Sequence, residues 1–168
     1  MLMWCSAAAL TIPRRVLPSL AISGQLEELG MQTPGGEAPF ETLETGVKIK
    51  TLRVGDGPVV RADSTVALRV TGRLLNLNGV KFYATGDDLL EELRVGVQDL
   101  VPGLAEGIVG ARRGEIRRVV VPAARGYSDP PLREPLPTGL GLNALNSVLK
   151  NPRRDASLLF DVKILRIK

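Results

Sequence analysis

The sequence predicts an α+β domain, an antiparallel sheet with a short helix packed on one side. Three observations lead there. Short stretches in which apolar and polar residues alternate recur between residues 47 and 168. Turn residues (Gly, Pro, Asn, Asp) separate them. A single helical period interrupts the series just after Pro102, and strands resume beyond it. Aromatic residues are only 4% of the chain, so the core these strands share must be aliphatic.

Each element has its own signal. Val47-Lys48-Ile49-Lys50-Thr51-Leu52-Arg53 alternates as a strand with one wet face, and Gly55-Asp56-Gly57-Pro58 turns the chain. Val66, Leu68 and Val70 then face one way, with Ala67, Arg69 and Thr71 facing the other. Asn76-Leu77-Asn78-Gly79 marks a hairpin bend before Val80-Lys81-Phe82-Tyr83, and Glu92 to Val95 is a further strand ending at Gly96. Asp99 is placed to cap a helix, Pro102 suits its first turn, and Leu104, Ile108 and Val109 follow at helical spacing up to Gly110. Ile116 to Val121 is a strand stopped by Pro122. The last strand, Ala156 to Lys168, puts Leu158, Phe160, Val162 and Ile164 on one face. Residues 130–154 are irregular and proline-rich, with room for a helix from Leu142 to Lys150 whose apolar side is Leu142, Leu145 and Leu149. That side needs a cover, which favours a docking role for the segment.

The composition excludes several chemistries. The 168 residues contain no His, which removes His-based triads, His general bases and most catalytic zinc sites. Cys5 is the single cysteine, so neither an internal disulfide nor a Cys metal cage can form. No uncharged apolar run reaches the ~18 residues of a membrane-spanning helix. Residues 1–23 hold no acid and read as a targeting or export segment. Arg14-Arg15 precedes Val16 to Ile22, and Ala21-Ile22-Ser23 resembles a small-x-small cleavage site. The other reading of this stretch is a frayed N-terminal arm. Residues 24–45 read as a linker or N-terminal arm because Thr33-Pro34-Gly35-Gly36 breaks any apolar period; Gln25 to Met31 has room for one helical turn.

Some clusters invite a sharper reading than they support. Arg112, Arg113, Arg117 and Arg118 could bind phosphates, but a solvated strand face paired with Glu115 is the simpler account, and the net charge of +4 makes a poor case for a nucleic-acid partner. Gly139-Leu140-Gly141-Leu142-Asn143-Ala144 imitates a dinucleotide fingerprint with no strand before it. Asp87-Asp88 with Glu91-Glu92 lacks the glycine punctuation of a calcium loop.

Residues 46–168 resemble the FKBP-type peptidyl-prolyl isomerases. The motifs that carry the resemblance come in order: Val70-Thr71-Gly72, Gly79-Val80-Lys81-Phe82, Val101-Pro102-Gly103-Leu104-Ala105-Glu106-Gly107-Ile108, Gly114-Glu115-Ile116-Arg117-Arg118 with Val121-Pro122, Gly126-Tyr127, and Ala156-Ser157-Leu158-Leu159-Phe160-Asp161-Val162. The insertion at 130–154, with Ser147-Val148-Leu149-Lys150-Asn151-Pro152, is similar to that of plastid and thylakoid-lumen members. The resemblance implies a half-barrel of about five strands wrapped around one short helix. It implies a pocket for a proline ring with Phe82, Val101, Tyr127 and Phe160 as catalytic residues and Leu100, Leu104, Tyr83 and Val70 around the substrate. In it the Val101 N–H and the Tyr127 hydroxyl bond ligand carbonyls, and no cofactor or metal takes part. Proline-containing polypeptides are the implied partners. The implied location is the chloroplast, in the thylakoid lumen or alternatively the stroma.

Such a site needs no nucleophile. Amide resonance sets a rotation barrier of ~18–20 kcal/mol, and a pocket that fits the twisted amide better than either planar form lowers it. An apolar wall with one or two donors is therefore sufficient chemistry. This chain departs from the family at Val70, Tyr83 and Leu104, where active members usually carry Tyr, Asp and Trp, and near Glu91, where another aromatic is usual. Asn151-Pro152-Arg153-Arg154 replaces apolar residues before the last strand. The expectation is a weak isomerase that binds macrolide drugs poorly. The alternative is a binding or scaffold module that kept the fold, lost the chemistry and serves as subunit or assembly factor of a thylakoid membrane complex through residues 130–154.

Overall fold

The computed structural model describes residues 39–85, 92–128, 130–151 and 153–168. The proposed targeting segment 1–23, the helical turn at 25–31, Cys5, the acidic stretch 87–91 and Pro152 lie outside the described residues. Seven strands form one antiparallel sheet: β1 Glu41–Thr42, β2 Lys48–Arg53, β3 Thr65–Leu74, β4 Val80–Ala84, β5 Leu93–Gly96, β6 Ile116–Val121 and β7 Leu158–Ile167. Among the described residues two α-helices accompany them, α1 Pro102–Ile108 and α2 Gly139–Leu149. The strand order is β1-β2-β6-β7-β3-β4, and β5 also pairs with β3.

The ten-residue strand β3 organises the sheet. On one side it pairs with β7 from Val66 opposite Ile167 to Leu74 opposite Leu158. Its other side is shared, with β5 along Thr65–Leu68 and β4 along Thr71–Leu74. Register shifts at Ala67/Leu68 and Gly72/Arg73 bend and twist it. The predicted inward faces of β3 and β7 are observed, with Val66, Leu68, Val70 and Leu74 buried and likewise Leu158, Phe160, Val162 and Ile164; Ala67, expected on the other face, is buried too, beside the register shift. Leu52 departs from the alternation of its strand and is 46% exposed, where β2 shifts register between Thr51 and Arg53.

Two expectations need correction. Residues 41–42 are not linker; they form a hairpin with β2, closed by the Leu43 N–H on the Val47 carbonyl at 2.8 Å and by Gly46 at φ +82°. A two-residue strand has no periodicity to read. Asp99 does not cap α1 either. The capping position is Val101, with Asp99 in a preceding 3-10 turn, Val97–Asp99.

Close approach by glycine sets both helices. A Cβ on Gly103 or Gly107 would stand 2.4 Å from Val121 or Val119 of β6. This four-residue glycine pair lays α1 flat on the sheet and carries Leu104 and Ile108 into the core. Gly141 does the same for α2, where a Cβ would be 2.0 Å from the Phe82 carbonyl oxygen. The buried residues of α2 are therefore Leu145 and Val148, with Gly141 in close approach to β4, rather than Leu142, Leu145 and Leu149. Leu142 and Leu149 are only half-buried. Glycine adds no apolar side chain, so its place in the packing is invisible to a hydropathy reading. The helix packs on β4, so Leu145 is covered within the chain itself. Among the described residues no helix is long and apolar enough to cross a membrane.

Candidate functional site

Pro102 opens α1 and holds Val101 at φ −50°, ψ 131°, because proline disfavours the helical region for the residue before it. The Val101 N–H therefore lies outside the helix. It donates to the Glu134 carbonyl at 2.9 Å, and the Glu134 N–H donates to the Asp99 carbonyl at 3.0 Å. Leu100 and Glu134 form a parallel bridge. A stretch of the 130–154 insertion thus runs beside residues 99–101 as if it were one more short strand.

Three rings meet nearby. Phe82 on β4 stands edge-on to Tyr127 at 6.0 Å between centroids and to Phe160 on β7 at 5.9 Å, with interplanar angles of 85° and 78°. Edge-to-face pairs of this kind are favourable beyond the area they bury. Gly72 of β3 makes the meeting possible. It pairs with Phe160 on one side and Tyr83 on the other, and a Cβ there would stand 2.7 Å from Phe82 Cζ and 3.2 Å from Phe160 Cε1. Leu100, Val101, Leu104 and Phe160 are sealed from solvent.

The Tyr127 hydroxyl donates to the Pro135 carbonyl, and Pro135 is buried. Burial pushes the Tyr127 phenol well above its ordinary range, and the Glu134 carboxylate and Tyr83 push it further the same way. The group stays a neutral O–H donor through the whole physiological range. The Glu134 carboxylate accepts the Leu136 N–H at 2.9 Å, which folds residues 134–136 into a tight corner.

The expected residues therefore occupy distinct places. Phe82, Tyr127 and Phe160 form one aromatic group. Val101 joins that group through consecutive residues, its N–H on Glu134 and Tyr127 on Pro135. Leu100 and Leu104 are buried in the same core. Val70 is buried two residues before Gly72, with its carbonyl held by the Thr85 N–H at 2.9 Å. Tyr83 is half-buried against the core. The position near Glu91 lies outside the described residues. Sequence reasoning missed Gly72, Glu134 and Pro135. The last two had a signal, since an X-Pro step in a proline-rich insertion is itself the chemistry that such a pocket would hold.

The arginine cluster pairs with Glu115 as expected, and Arg112 and Arg113 are exposed, but Arg117 is turned inward. Arg117 pairs with the buried Glu115 and donates to the Gly107 carbonyl at 3.0 Å and the Val109 carbonyl at 3.3 Å, capping the end of α1. Arg118 makes a two-pronged pair with Asp161 at 2.7 and 3.0 Å.

Comparison with known proteins adds to this geometry. The family profile "FKBP-type peptidyl-prolyl cis-trans isomerase" matches residues 57–165. The chain is 33% identical over 142 residues to the chloroplastic peptidyl-prolyl cis-trans isomerase FKBP19 of Arabidopsis thaliana, covering 76% of this chain and 56% of that protein. It is 31% identical to FK506-binding protein 4 of Aspergillus fumigatus, covering 81% of this chain and 26% of that one. The chain thus spans about half or less of these relatives. Among solved structures, FkpA from Escherichia coli superposes with a TM-score of 0.57 at 21% identity over 89% of this chain and 59% of that one. AtFKBP13 superposes with a TM-score of 0.56 at 20% identity, over 78% of this chain and 100% of that one.

Proposed function

Since the chain belongs to the FKBP-type peptidyl-prolyl cis-trans isomerase family, we propose that it accelerates X-Pro rotation in polypeptides that are folding or assembling, with weak activity. One observation carries the reading. The Val101 N–H and the Tyr127 hydroxyl engage the two consecutive carbonyls of an X-Pro unit whose proline is buried, and Tyr127 is one of three aromatic rings that meet there. Phe82, Val101, Tyr127 and Phe160 act on the substrate; Leu100, Leu104, Tyr83 and Val70 shape the space around it.

The mechanism follows from the amide. Planar amides are stabilised by charge separation between nitrogen and oxygen. A dry wall withholds the water that favours this dipolar form. The two donors hold the backbone on either side of the proline, so the rings can favour the twisted geometry over both planar ones. Leu104 supplies a smaller and softer floor than the usual Trp, and Tyr83 replaces a carboxylate. These substitutions account for weak turnover.

The proposed location is the chloroplast, as the names of the chloroplastic relatives FKBP19 and FKBP17-1 suggest, with the thylakoid lumen as the finer expectation. A second reading keeps the fold without the chemistry, as a subunit or assembly factor of a thylakoid complex. It is favoured by Leu132 and Leu140 of the insertion, which are 75% and 88% exposed. A protease-coupled isomerisation assay across several X-Pro peptides separates the two. Acceleration that is lost in both Phe160→Ala and Tyr127→Ala supports the enzyme. A folded chain with no acceleration and no peptide binding refutes it.

A further inference from the structure

The donors that should receive a substrate are already in use. We infer that the insertion carries a resident competitor: Glu134-Pro135 occupies the substrate's place, and a client enters only when residues 132–137 swing out. This rests on the pocket being an X-Pro site, as proposed above.

The Val101 N–H is spent on the Glu134 carbonyl, and the Tyr127 hydroxyl on the Pro135 carbonyl. A peptide cannot take either donor without displacing the strap. Pro135 and Pro137 are buried, whereas Leu132, Arg133, Leu136 and Thr138 are exposed. The strap is thus anchored through its two prolines and open to solvent at Leu132 and Arg133. It is also thin. Leu132, Arg133 and Glu134 form one wall of an open groove of about 730 Å3, facing Arg94, Gly96 and Gln98. Besides the Val101 and Tyr127 donors, the strap is held by the Glu134 N–H on the Asp99 carbonyl at 3.0 Å and by Arg133 on the Gln98 carbonyl at 2.7 Å. The motif fits its role chemically, since the occupant is an X-Pro step with two flanking carbonyls, the unit the family acts on. A competitor tethered in this way lowers the apparent affinity for peptides in trans by the fraction of time the site is open. It also makes the site selective for clients that arrive at high local concentration or that grip the exposed strap first.

The test uses the full chain beside two variants. In one, residues 132–137 are replaced by six alternating glycines and serines; in the other, Pro135→Gly removes only the ring. The probe is a fluorescently labelled hexapeptide Leu-Arg-Glu-Pro-Leu-Pro, the strap's own sequence, read by anisotropy. The segment replacement should bind it at least about tenfold more tightly than the unaltered chain. Adding Tyr127→Phe to that replacement should remove the gain. Pro135→Gly keeps both carbonyls and the chain length, and should give a gain of about threefold even where the full replacement folds poorly. Equal affinity of unaltered chain and folded variants, or no binding by any of them, overturns the inference. Isomerisation measured on the same samples separates the two readings. Tighter binding without acceleration by any variant leaves the resident competitor standing and refutes the enzyme. Acceleration by the unaltered chain that neither variant changes, with unchanged binding, does the reverse.

Discussion

Removing one oxygen from Tyr127 tests most of the site at once. Tyr127→Phe keeps the ring beside Phe82 and deletes the hydroxyl that holds the Pro135 carbonyl. Tyr127 is 7% exposed, so that carbonyl cannot readily recover a water in exchange. A buried hydrogen bond lost with its acceptor stranded costs about 1–3 kcal/mol. Taking about 2 kcal/mol, the melting temperature of a domain this size should fall by about 6–8 °C. The loss should depend on pH with a definite sign. Burial raises the phenol in the folded chain above its ordinary value near 10. The stabilisation is therefore complete below pH 10. Above it the unfolded chain ionises and the folded one does not, and stability declines by about 1.4 kcal/mol per pH unit. The gap between the unaltered chain and Tyr127→Phe should shrink from about 2 kcal/mol at pH 7 to under about 1 kcal/mol at pH 11. Thermal unfolding followed by circular dichroism at pH 7, 9, 10 and 11 reads both effects. Equal stability at pH 7, or a gap that stays constant through pH 11, would refute the burial of the phenol and its anchoring of Pro135.

Other substitutions probe the surroundings. Gly107→Ala should destabilise by about 1–2 kcal/mol in urea unfolding, because overpacking against Val119 outweighs the ~1 kcal/mol gain in helix propensity. A stabilised variant would mean that α1 lies farther from β6. Phe160→Ala should cost about 3–5 kcal/mol, whereas Phe160→Leu should cost about 1.5 kcal/mol or less while still depressing isomerisation. Parallel losses of stability and activity in both would mark Phe160 as core alone. Glu115→Ala should cost about 3–5 kcal/mol, since it leaves the mostly buried Arg117 guanidinium without its counter-charge and the Arg112 N–H without its acceptor at 2.8 Å. Asp161→Ala should cost under about 1 kcal/mol, as its partner Arg118 is 39% exposed. Chemical denaturation of both variants checks the contrast, and comparable losses would contradict it.

The sequence by itself determined the strand alternation of β3 and β7, the place of α1 and the aliphatic core, because periodicity and turn residues are local properties. It also determined the conformation of Val101, since Pro102 acts on its immediate neighbour. The family resemblance then pointed to Phe82, Tyr127 and Phe160 as one group, and the rings do meet. Other features depended on what lies across the fold. The hairpin strand β1 is two residues long, below the reach of any period. The buried side of α2 turned on Gly141, a residue that shows its role only when the Phe82 carbonyl stands against it. Arg117 reads as a surface charge in its own segment and becomes an inward cap only because the end of α1 is folded over it. Most consequential is the pairing of Val101 and Tyr127 with Glu134 and Pro135, 33 and 8 residues apart in the chain. A donor's residue type is written in the sequence. Which carbonyl it meets is decided by the closure of a long loop onto the sheet, and only tertiary structure specifies that.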